Sequence, residues 1–219
     1  MKDGIIIKGI SGFYYVEVGQ DLYECKARGI FRKKGLSPLV GDRVAISIID
    51  ETDKKGNIEK IYERKTELVR PPIANIDKVL ITFSVKEPSP NMVLLDRFIV
   101  FSEKENLDIR IVLTKVDLDK DGTIVDRIVS DYEKIGYKVI PVSVETSQGV
   151  DQVRHELEGC ISVFAGQSGV GKSSILNAIE PDFKLETAEI SQKLGRGKHT
   201  TRHSQLYKLG PNAIVADTP

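Results

Sequence analysis

The run Gly166-Gln167-Ser168-Gly169-Val170-Gly171-Lys172-Ser173 decides the fold of this 219-residue chain. It follows an apolar stretch, residues 160–165, and precedes a second one, residues 174–179, which predicts a strand, a glycine-rich loop and a helix in succession. Glycines let the backbone turn sharply so that its N–H groups face a phosphate chain, and the helix dipole is directed at the same place. A glycine-rich turn with a chance lysine and serine is disfavoured because strand and helix are both present. The run is therefore predicted to be a P-loop that binds a nucleoside triphosphate.

The side chains at the end of this run have predicted roles. Lys172 reaches the terminal phosphates as a point charge, and the Ser173 hydroxyl is a predicted ligand of Mg²⁺. The predicted nucleotide contacts extend along the whole run and one position beyond it: Gly166, Gln167, Ser168, Gly169, Val170, Gly171, Lys172, Ser173 and Ser174.

Composition and charge indicate a soluble protein. The 32 basic and 32 acidic residues cancel, so any contact with nucleic acid must come from a local patch and not from the overall field. No apolar run is long enough to span a bilayer, and residues 1–4 do not open a signal peptide. Cys25 and Cys160 lie far apart inside predicted strands, which favours buried free thiols over a disulfide. We therefore expect a cytoplasmic protein that does not bind membranes.

Residues 4 to about 70 have the pattern of short strands separated by turn residues, with little helical periodicity. The predicted strands are 5–7, 13–18, 22–25, 43–49 and 56–61. Five strands of this length predict a small closed barrel, and the OB-fold is the commonest barrel of that size. An SH3-like barrel would give much the same pattern, so both architectures remain open from the sequence.

A basic segment, residues 26–35, lies between two of these strands and contains five basic residues and no acid. On an OB-like barrel such a loop can follow a phosphate backbone, with Tyr23 or Phe31 available to stack on a base. A solvated charged loop is an equally good interpretation. The candidate RNA-binding residues are Lys26, Arg28, Phe31, Arg32, Lys33 and Lys34.

The pattern changes after Arg70-Pro71-Pro72, which is predicted to be a linker because two prolines stop a strand and stiffen the chain. Strands are then predicted at 79–83, 109–113, 139–142, 160–165 and 213–216, and helices at 92–105, 123–135 and 150–157. This alternation predicts a parallel sheet covered on both faces, with ligands at the carboxyl ends of its strands. We expect two domains, a barrel over residues 1–70 and an α/β domain over residues 74–219.

The segment Thr114-Lys115-Val116-Asp117 stands directly after a predicted strand and matches a guanine-binding motif. The Asp117 carboxylate can accept hydrogen bonds from N1 and N2 of guanine, while the stem of Lys115 covers the base. Adenine lacks this pair of donors and would leave a desolvated carboxylate unpaired, at a cost on the order of a few kcal/mol. A second base-contacting loop, for which a plain turn is the alternative, is predicted at Ser143, Val144 and Glu145.

A polar, basic segment without acids, residues 193–202, follows the predicted P-loop helix. Thr200 or Thr201 is placed to close on Mg²⁺ and the γ-phosphate, as a switch threonine does. His199 stands beside them, and a surface histidine is the alternative interpretation of that residue. Asp217 follows the last strand and is predicted to hold Mg²⁺ through a water.

Together these are GTPase motifs in a permuted order, because the base-contacting motifs precede the P-loop, the switch threonine and the Asp217 motif. An α/β P-loop GTPase domain with this motif order, preceded by a small all-β barrel, resembles the RsgA family (YjeQ or YloQ type) of circularly permuted, ribosome small-subunit-dependent GTPases. The most specific likeness lies in the order itself and in residues 166–174 and 195–201. The sequence departs from the pattern at Thr114, where generic GTPases have asparagine, a substitution the family tolerates. It also ends at Pro219, before the glycine expected there.

The resemblance implies a GTPase that binds the small (30S) ribosomal subunit and its rRNA late in assembly, with GTP hydrolysis stimulated by the subunit. It implies GTP or GDP and Mg²⁺ as ligands, an OB domain for RNA contact, and a zinc domain after the GTPase domain. This chain contains no cluster of zinc ligands, so zinc is assigned to no residue, and we expect the sequence to continue beyond its end. His199 is implied to orient the attacking water. The implied catalytic residues are Lys172, His199, Thr200 and Thr201, and the implied Mg²⁺ ligands are Ser173, Thr200, Thr201 and Asp217.

Two alternatives remain open from the sequence. An ATP-using P-loop enzyme, such as a kinase or a transporter ATPase, would share the phosphate site, and competition between GTP and ATP distinguishes it. An RNA-binding assembly factor could use the nucleotide only as a sensor, and turnover with purified small subunits decides that. In either case we expect a monomer.

Overall fold

The structure is a computed structural model, and it describes residues 1–33, 35–69, 71–181, 204–210 and 212–217. Of Asp217 it describes the backbone but not the side chain. The chain divides into two compact units. The first comprises residues 1–76 together with residues 204–207 and 216–217, and the second comprises residues 77–181, 208–210 and 212–215. The second unit contains both the predicted P-loop and the predicted guanine-binding motif.

Five strands build the first unit and close into a barrel. In chain order these are β1 (Lys2–Ile10), β2 (Phe13–Val18), β3 (Asp21–Ala27), β4 (Arg43–Asp50) and β5 (Lys55–Ile61). Their spatial order is β1-β2-β3-β5-β4, and β4 also pairs with β1, which closes the barrel. The fully buried side chains inside it include Ile6, Val16, Tyr23, Ile46 and Ile58. This five-stranded closed barrel confirms the OB-like prediction.

The basic segment 26–35 is not simply a loop, because Gly29–Lys33 forms a short helix, α1. Its Phe31 is only 7% exposed, and Tyr23 of β3 is fully buried. The prediction that either ring stacks on a base is therefore wrong, because both rings belong to the core of the barrel. The exposed basic residues of the segment are Lys26, Arg28, Arg32 and Lys33, while Lys34 lies outside the described residues.

The linker predicted at residues 70–72 is corrected by the structure, because the last of these residues begins a strand. The strands β6 (Glu67–Val69) and β7 (Pro72–Ala74) pair antiparallel as a hairpin. Proline is tolerated at the first residue of a strand, where its missing N–H is not needed. The N–H of Ala74 donates to the carbonyl of Val40 at 2.8 Å, which holds the hairpin on the segment before β4.

A glycine and a buried ion pair fasten the same segment. Gly41 has a φ of +91°, and a Cβ built on it would lie 1.9 Å from the carbonyl oxygen of Ala74, so a larger residue cannot replace it without moving the hairpin. The fully buried Asp42 carboxylate accepts two hydrogen bonds from Arg64, at 2.7 Å from Nε and 2.8 Å from Nη2. Asn75 Nδ2 donates to the carbonyl of Gly41 at 2.9 Å. These contacts make the hairpin part of the first unit.

The second unit is a sheet with helices packed on it. Its first half contains β8 (Lys78–Ser84), α2 (Met92–Lys104), β9 (Asp108–Thr114), α3 (Thr123–Glu133) and β10 (Lys138–Val142). The next elements along the chain are α4 (Val150–Leu157), β11 (Ile161–Ala165), α5 (Lys172–Ile179), β12 (Gln205–Leu209) and β13 (Ala213–Asp217), and the last two contribute residues 208–209 and 213–215 to this unit. The strand order is β10-β9-β8-β11-β13-β12. The neighbouring strands β10, β9, β8 and β11 are parallel, which confirms the predicted parallel sheet.

The four parallel strands of this unit share one core and end at the same edge of the sheet. Leu80, Val112, Ile140 and Phe164, one from each of the four parallel strands, are buried in one cluster with residues of α4 and α5. Because these strands are parallel and in register, their carboxyl ends line up at one edge of the sheet. That edge carries the loops after β8, β9, β10 and β11.

At the opposite, amino-terminal edge, three basic side chains meet one carboxylate. Lys78, Arg110 and Lys138 of β8, β9 and β10 donate to Glu156 of α4 at 2.8, 2.7 and 2.6 Å. Burial raises the pKa of Glu156, but hydrogen bonds from Lys138 and Lys78 and the charge of Arg110 outweigh it and lower the pKa to about 2. The carboxylate therefore stays charged and ties α4 to three strands.

In the described ranges, no helix has both the length and the apolar character needed to cross a membrane.

Candidate nucleotide-binding site

The glycine-rich run forms the predicted loop between β11 and α5. Gly166 follows β11 with a φ of +148°, and a Cβ built on it would lie 2.0 Å from the carbonyl oxygen of Thr82 in β8. Only glycine fits this approach between neighbouring strands. Gly169 and Gly171 also have positive φ values, +80° and +98°, and α5 begins directly after Gly171. The sequence therefore produces the strand, loop and helix that a phosphate site needs.

Lys172 is the first residue of α5, and its ammonium group lies across the loop. Its Nζ donates to the carbonyl oxygens of Gly166 and Gln167, both at 2.7 Å. Burial lowers the pKa of Lys172, because the surroundings solvate its charge less well than water does. A phosphate oxygen at this loop would supply the negative partner that the two carbonyls only partly replace.

Thr114 joins the guanine motif to the P-loop. It ends β9 and is buried, with 3% of its surface exposed. Its hydroxyl lies 2.6 Å from the carbonyl oxygen of Val170 and 3.2 Å from that of Phe83. A hydroxyl has one proton, and the shorter distance assigns it to Val170. The strand order β9-β8-β11 brings these two loops together, and a threonine supplies the connecting donor at the position where generic GTPases have asparagine.

Asp117 is held in position by the second predicted loop. It lies in a 3-10 turn, Val116–Leu118, and its Oδ1 accepts a hydrogen bond from Ser143 Oγ at 2.6 Å. Ser143 is fully buried, and its Oγ accepts in turn from the backbone N–H of Thr146 at 3.2 Å. Each carboxylate oxygen has two acceptor positions, so the carboxylate keeps capacity for the two guanine donors.

The structure places the other predicted base contacts unequally. Val144 is partly buried and packs against the core of the unit, whereas Glu145 is exposed. Lys115 has a left-handed backbone, with a φ of 57°, and its Nζ donates to the carbonyl of Glu87. Of the base-contacting set, Thr114 is hydrogen-bonded to the P-loop, and Asp117 and Ser143 form a separate hydrogen-bonded pair.

The loop after β8 was missed by the sequence analysis. Residues 85–91 contribute the Glu87 carbonyl that Lys115 contacts, and the N–H of Val85 donates to the carbonyl of Thr114 at 3.1 Å. The available signal was its position, because it follows a parallel strand at the same sheet edge as the three recognised loops.

The residues predicted to close the site on the phosphate side are described only in part. His199, Thr200 and Thr201 lie outside the described residues. Asp217 is the last residue of β13, and its side chain is not described. Ser173 is the second residue of α5 and is half-buried. Hydroxyl and carboxylate oxygens are the hard donors that Mg²⁺ prefers, so the predicted set fits that ion in chemistry.

Within the described part of the chain, no group of three or more His, Cys, Asp or Glu side chains could hold a metal ion. Of the predicted Mg²⁺ ligands, Ser173 is the one whose side chain the structure describes.

The chain matches two family models that together account for nearly its whole length. The RsgA N-terminal domain model matches residues 3–58, and the RsgA GTPase model matches residues 61–219. Similar proteins include the small ribosomal subunit biogenesis GTPase RsgA of Alkaliphilus metalliredigens (strain QYMF), which is 52% identical over 219 residues. That alignment covers 100% of this chain and 75% of the relative.

Two solved structures show the same architecture. The crystal structure of YjeQ from Thermotoga maritima matches with a TM-score of 0.84 and 36% identity, over 100% of this chain and 74% of that one. The crystal structure of YloQ, described as a circularly permuted GTPase, matches with a TM-score of 0.76 and 41% identity, over 100% of this chain and 71% of that one. With the base motif ahead of the P-loop and both parts of the chain matched, this protein belongs to the RsgA GTPase family and is a GTP-hydrolysing enzyme with circularly permuted motifs.

Proposed function

We propose that this GTPase acts in the biogenesis of the small ribosomal subunit and that the subunit stimulates its hydrolysis of GTP. The binding of a guanine nucleotide is supported by the 2.6 Å hydrogen bond from Thr114 Oγ1 to the Val170 carbonyl. This bond joins the guanine motif to the P-loop, so that one nucleotide can contact both. The ribosomal part is supported by the relative from Alkaliphilus metalliredigens, which is named a small ribosomal subunit biogenesis GTPase.

The arrangement of side chains supports separate residues for base selection and for phosphate binding. Asp117, oriented by Ser143, selects guanine through its N1 and N2 donors. The P-loop N–H groups and Lys172 bind the phosphates, and Lys172 exchanges its two carbonyl partners for phosphate oxygens when GTP enters. Charge that develops on the γ-phosphoryl group is then stabilised by donors already in place.

We assign Mg²⁺ to Ser173, to Thr200 or Thr201, and to Asp217 through a water. The chemistry of these donors supports the assignment, since all are oxygen ligands. A bound Mg²⁺ would neutralise charge on the β- and γ-phosphates. A Ser173→Ala variant whose Mg²⁺ titration superimposes on that of the wild type would remove Ser173 from this set.

We assign the positioning of the attacking water to His199. The His199→Ala variant should keep its GDP affinity, because the base and phosphate contacts are assigned to other residues, but should lower subunit-stimulated kcat by about 10²-fold. Equilibrium binding of GDP and single-turnover hydrolysis with purified small subunits measure the two quantities on one variant.

The matched control is His155→Ala, because His155 is an exposed histidine of α4 whose ring pairs only with Glu158 among the ion pairs of the described residues. This control should behave as wild type in both measurements. Full stimulated turnover by His199→Ala would reject the catalytic role. No stimulation of the wild-type protein by small subunits would reject the ribosomal function itself.

We further propose that the first unit, predicted from the sequence as residues 1–70, is an RNA-binding barrel and that the second, predicted as residues 74–219, is the GTPase domain, with the barrel contacting rRNA through the segment 26–35. Lys26 is exposed, and its Nζ lies 5.1 Å from the centre of the Phe13 ring, so a cation–π contact already engages its charge. The Arg28 guanidinium is 2.6 Å from the Glu59 carboxylate, which offsets its charge. Arg32 and Lys33 at the end of α1 are therefore the stronger candidates for phosphate contacts.

The double variant Arg32→Glu with Lys33→Glu should weaken binding to the small subunit. If each side chain contacts one phosphate of rRNA, the slope of log affinity against log salt concentration should fall by about 1.4–1.8. Lys104→Glu with Lys134→Glu is the control, because it makes the same change in net charge on exposed helix ends of the other unit. Equal loss of affinity in both double variants would show a general charge effect and exclude this segment as the contact.

We also propose that the protein is a cytoplasmic monomer. Its two cysteines are free and one of them, Cys25, is buried, which suits a reducing compartment. Light scattering in the presence of GDP gives the mass directly, and a dimer mass would contradict the proposal.

A further inference from the structure

We infer that the loop between β8 and α2, residues 85–91, is a positioning element of the guanine pocket that holds the Lys115 side chain ready for the base. The inference rests on the proposed guanine-nucleotide function and adds residues that none of the nucleotide motifs includes. Three contacts from this loop to the segment 114–118 carry it.

The loop lies along the whole guanine motif. At one end, the N–H of Val85 donates to the carbonyl of Thr114 at 3.1 Å. At the other end, Lys86 Nζ donates to the carbonyl of Leu118 at 3.1 Å. Between them, Lys115 Nζ donates to the carbonyl of Glu87. The loop therefore fixes both the backbone of the motif and the tip of its lysine.

The loop is itself held at its middle and at its far end. Ser84, the last residue of β8, is 1% exposed, and its Oγ donates to the carbonyl of Pro88 at 2.7 Å. At the far end, Asn91 caps α2, because its Oδ1 accepts from the N–H of Leu94 at 3.0 Å. One buried hydroxyl thus ties the middle of the loop back to the rigid strand from which it starts.

Holding Lys115 has a direct consequence for binding. A free lysine side chain loses much rotameric freedom when its stem is laid over a base. A lysine that is already held in one position loses less, so the bound state is favoured. The effect concerns the base alone, because the phosphate contacts come from the loop after β11. Ser84 is accordingly a positioning residue that acts through Lys115.

The test variant is Ser84→Ala, which removes the hydroxyl that holds the loop. We expect the GDP dissociation constant and the KM for GTP to rise about three- to tenfold. The kcat at saturating GTP should stay within about twofold, because the phosphate side is untouched. Affinity for inorganic tripolyphosphate, which has no base, should not change.

The matched control is Ser102→Ala. Ser102 is 2% exposed and donates from its Oγ to a backbone carbonyl, that of Phe98, at 2.8 Å, but it lies within α2 and away from the guanine motif. It should show a similar change in thermal stability with no change in nucleotide affinity. The inference would be overturned if Ser84→Ala bound GDP as tightly as the control does. Tighter GDP binding by Ser84→Ala would also overturn it, because the loop would then hold Lys115 away from the base.

A surface variant keeps the inference testable if Ser84→Ala does not fold. Lys86→Ala removes only the contact with Leu118 from an exposed side chain, and should raise the GDP dissociation constant about twofold. Lys134→Ala, at an exposed position after α3, is its control. No change in Lys86→Ala, with Ser84→Ala unfolded, would count against the loop. If wild-type protein binds GDP no more tightly than pyrophosphate, the guanine site itself fails, and that outcome is separate from failure of the loop.

Discussion

Replacing Lys172 with alanine should lower GTP turnover by about 10²- to 10³-fold, with a large part of the loss in nucleotide affinity. The side chain is the half-buried cation of the P-loop, and its pKa is lowered by that burial. In surroundings of low polarity, its attraction to phosphate oxygens is stronger than that of a surface lysine. The variant also leaves the carbonyls of Gly166 and Gln167 without their donor, so the empty loop loses a contact as well.

The measurement is steady-state GTP hydrolysis together with equilibrium binding of GDP and GTP. Lys104→Ala is a suitable control, because this lysine is exposed at the end of α2. GTP binds through one more phosphate than GDP, so Lys172→Ala should weaken GTP binding more than GDP binding. A loss of turnover below about threefold would show that Lys172 does not act on the phosphates.

Replacing Asp117 with asparagine should lower affinity for guanine nucleotides by about 10²- to 10⁴-fold, since two hydrogen bonds to a charged acceptor are lost. The geometry suggests how the new side chain would lie. Its Oδ1 can still accept from Ser143 Oγ, as the carboxylate does at 2.6 Å, which directs the amide nitrogen toward the base. Xanthine has a carbonyl where guanine has an amino group, so xanthosine nucleotides should become the preferred ligands.

Competition of GDP, XDP and ADP for a labelled nucleotide measures this change in preference. Asp131→Asn is the control, because this aspartate lies on the exposed face of α3 and pairs with Arg127. Unchanged preference for guanine in Asp117→Asn would remove this carboxylate from the base site. Equal loss for all nucleotides, with no gain for XDP, would indicate that the substitution disturbs the turn and not base selection.

Residues of the candidate site could be proposed from the sequence where the chemistry is local. The glycine-rich run and Asp117 were recognised because each follows a parallel strand and has a composition suited to one ligand group. The hydrogen bond between Thr114 and Val170 was not predictable, because it depends on the strand order β9-β8-β11, which the sequence does not state. The loop 85–91 was missed because each of its three contacts with the guanine motif ends on a backbone carbonyl, and no residue type identifies a carbonyl acceptor.

In the first unit, the sequence likewise could not show which side chains are buried. Alternation predicts that every second side chain of β3 points inward, but only the closed barrel shows which set does, and it buries Tyr23. Phe31 was proposed to stack on a base because the basic segment was interpreted as an RNA-binding loop, whereas the ring of Phe31 is buried in α1. The two prolines misled because a strand may begin with proline, as β7 does.

The hydrogen bond from Thr114 to Val170 also has a consequence for synthesis of the protein, because its donor and acceptor are translated at different times. The two residues are 56 positions apart, and ribosomes add about 5–20 residues per second, so the acceptor is made roughly 3–11 s after the donor. During that interval the base-reading loops exist without any group to bind phosphate. In an unpermuted GTPase the phosphate loop is made first. In this chain it is made after both base-contacting loops, so the nascent protein cannot capture GTP until translation has passed Lys172.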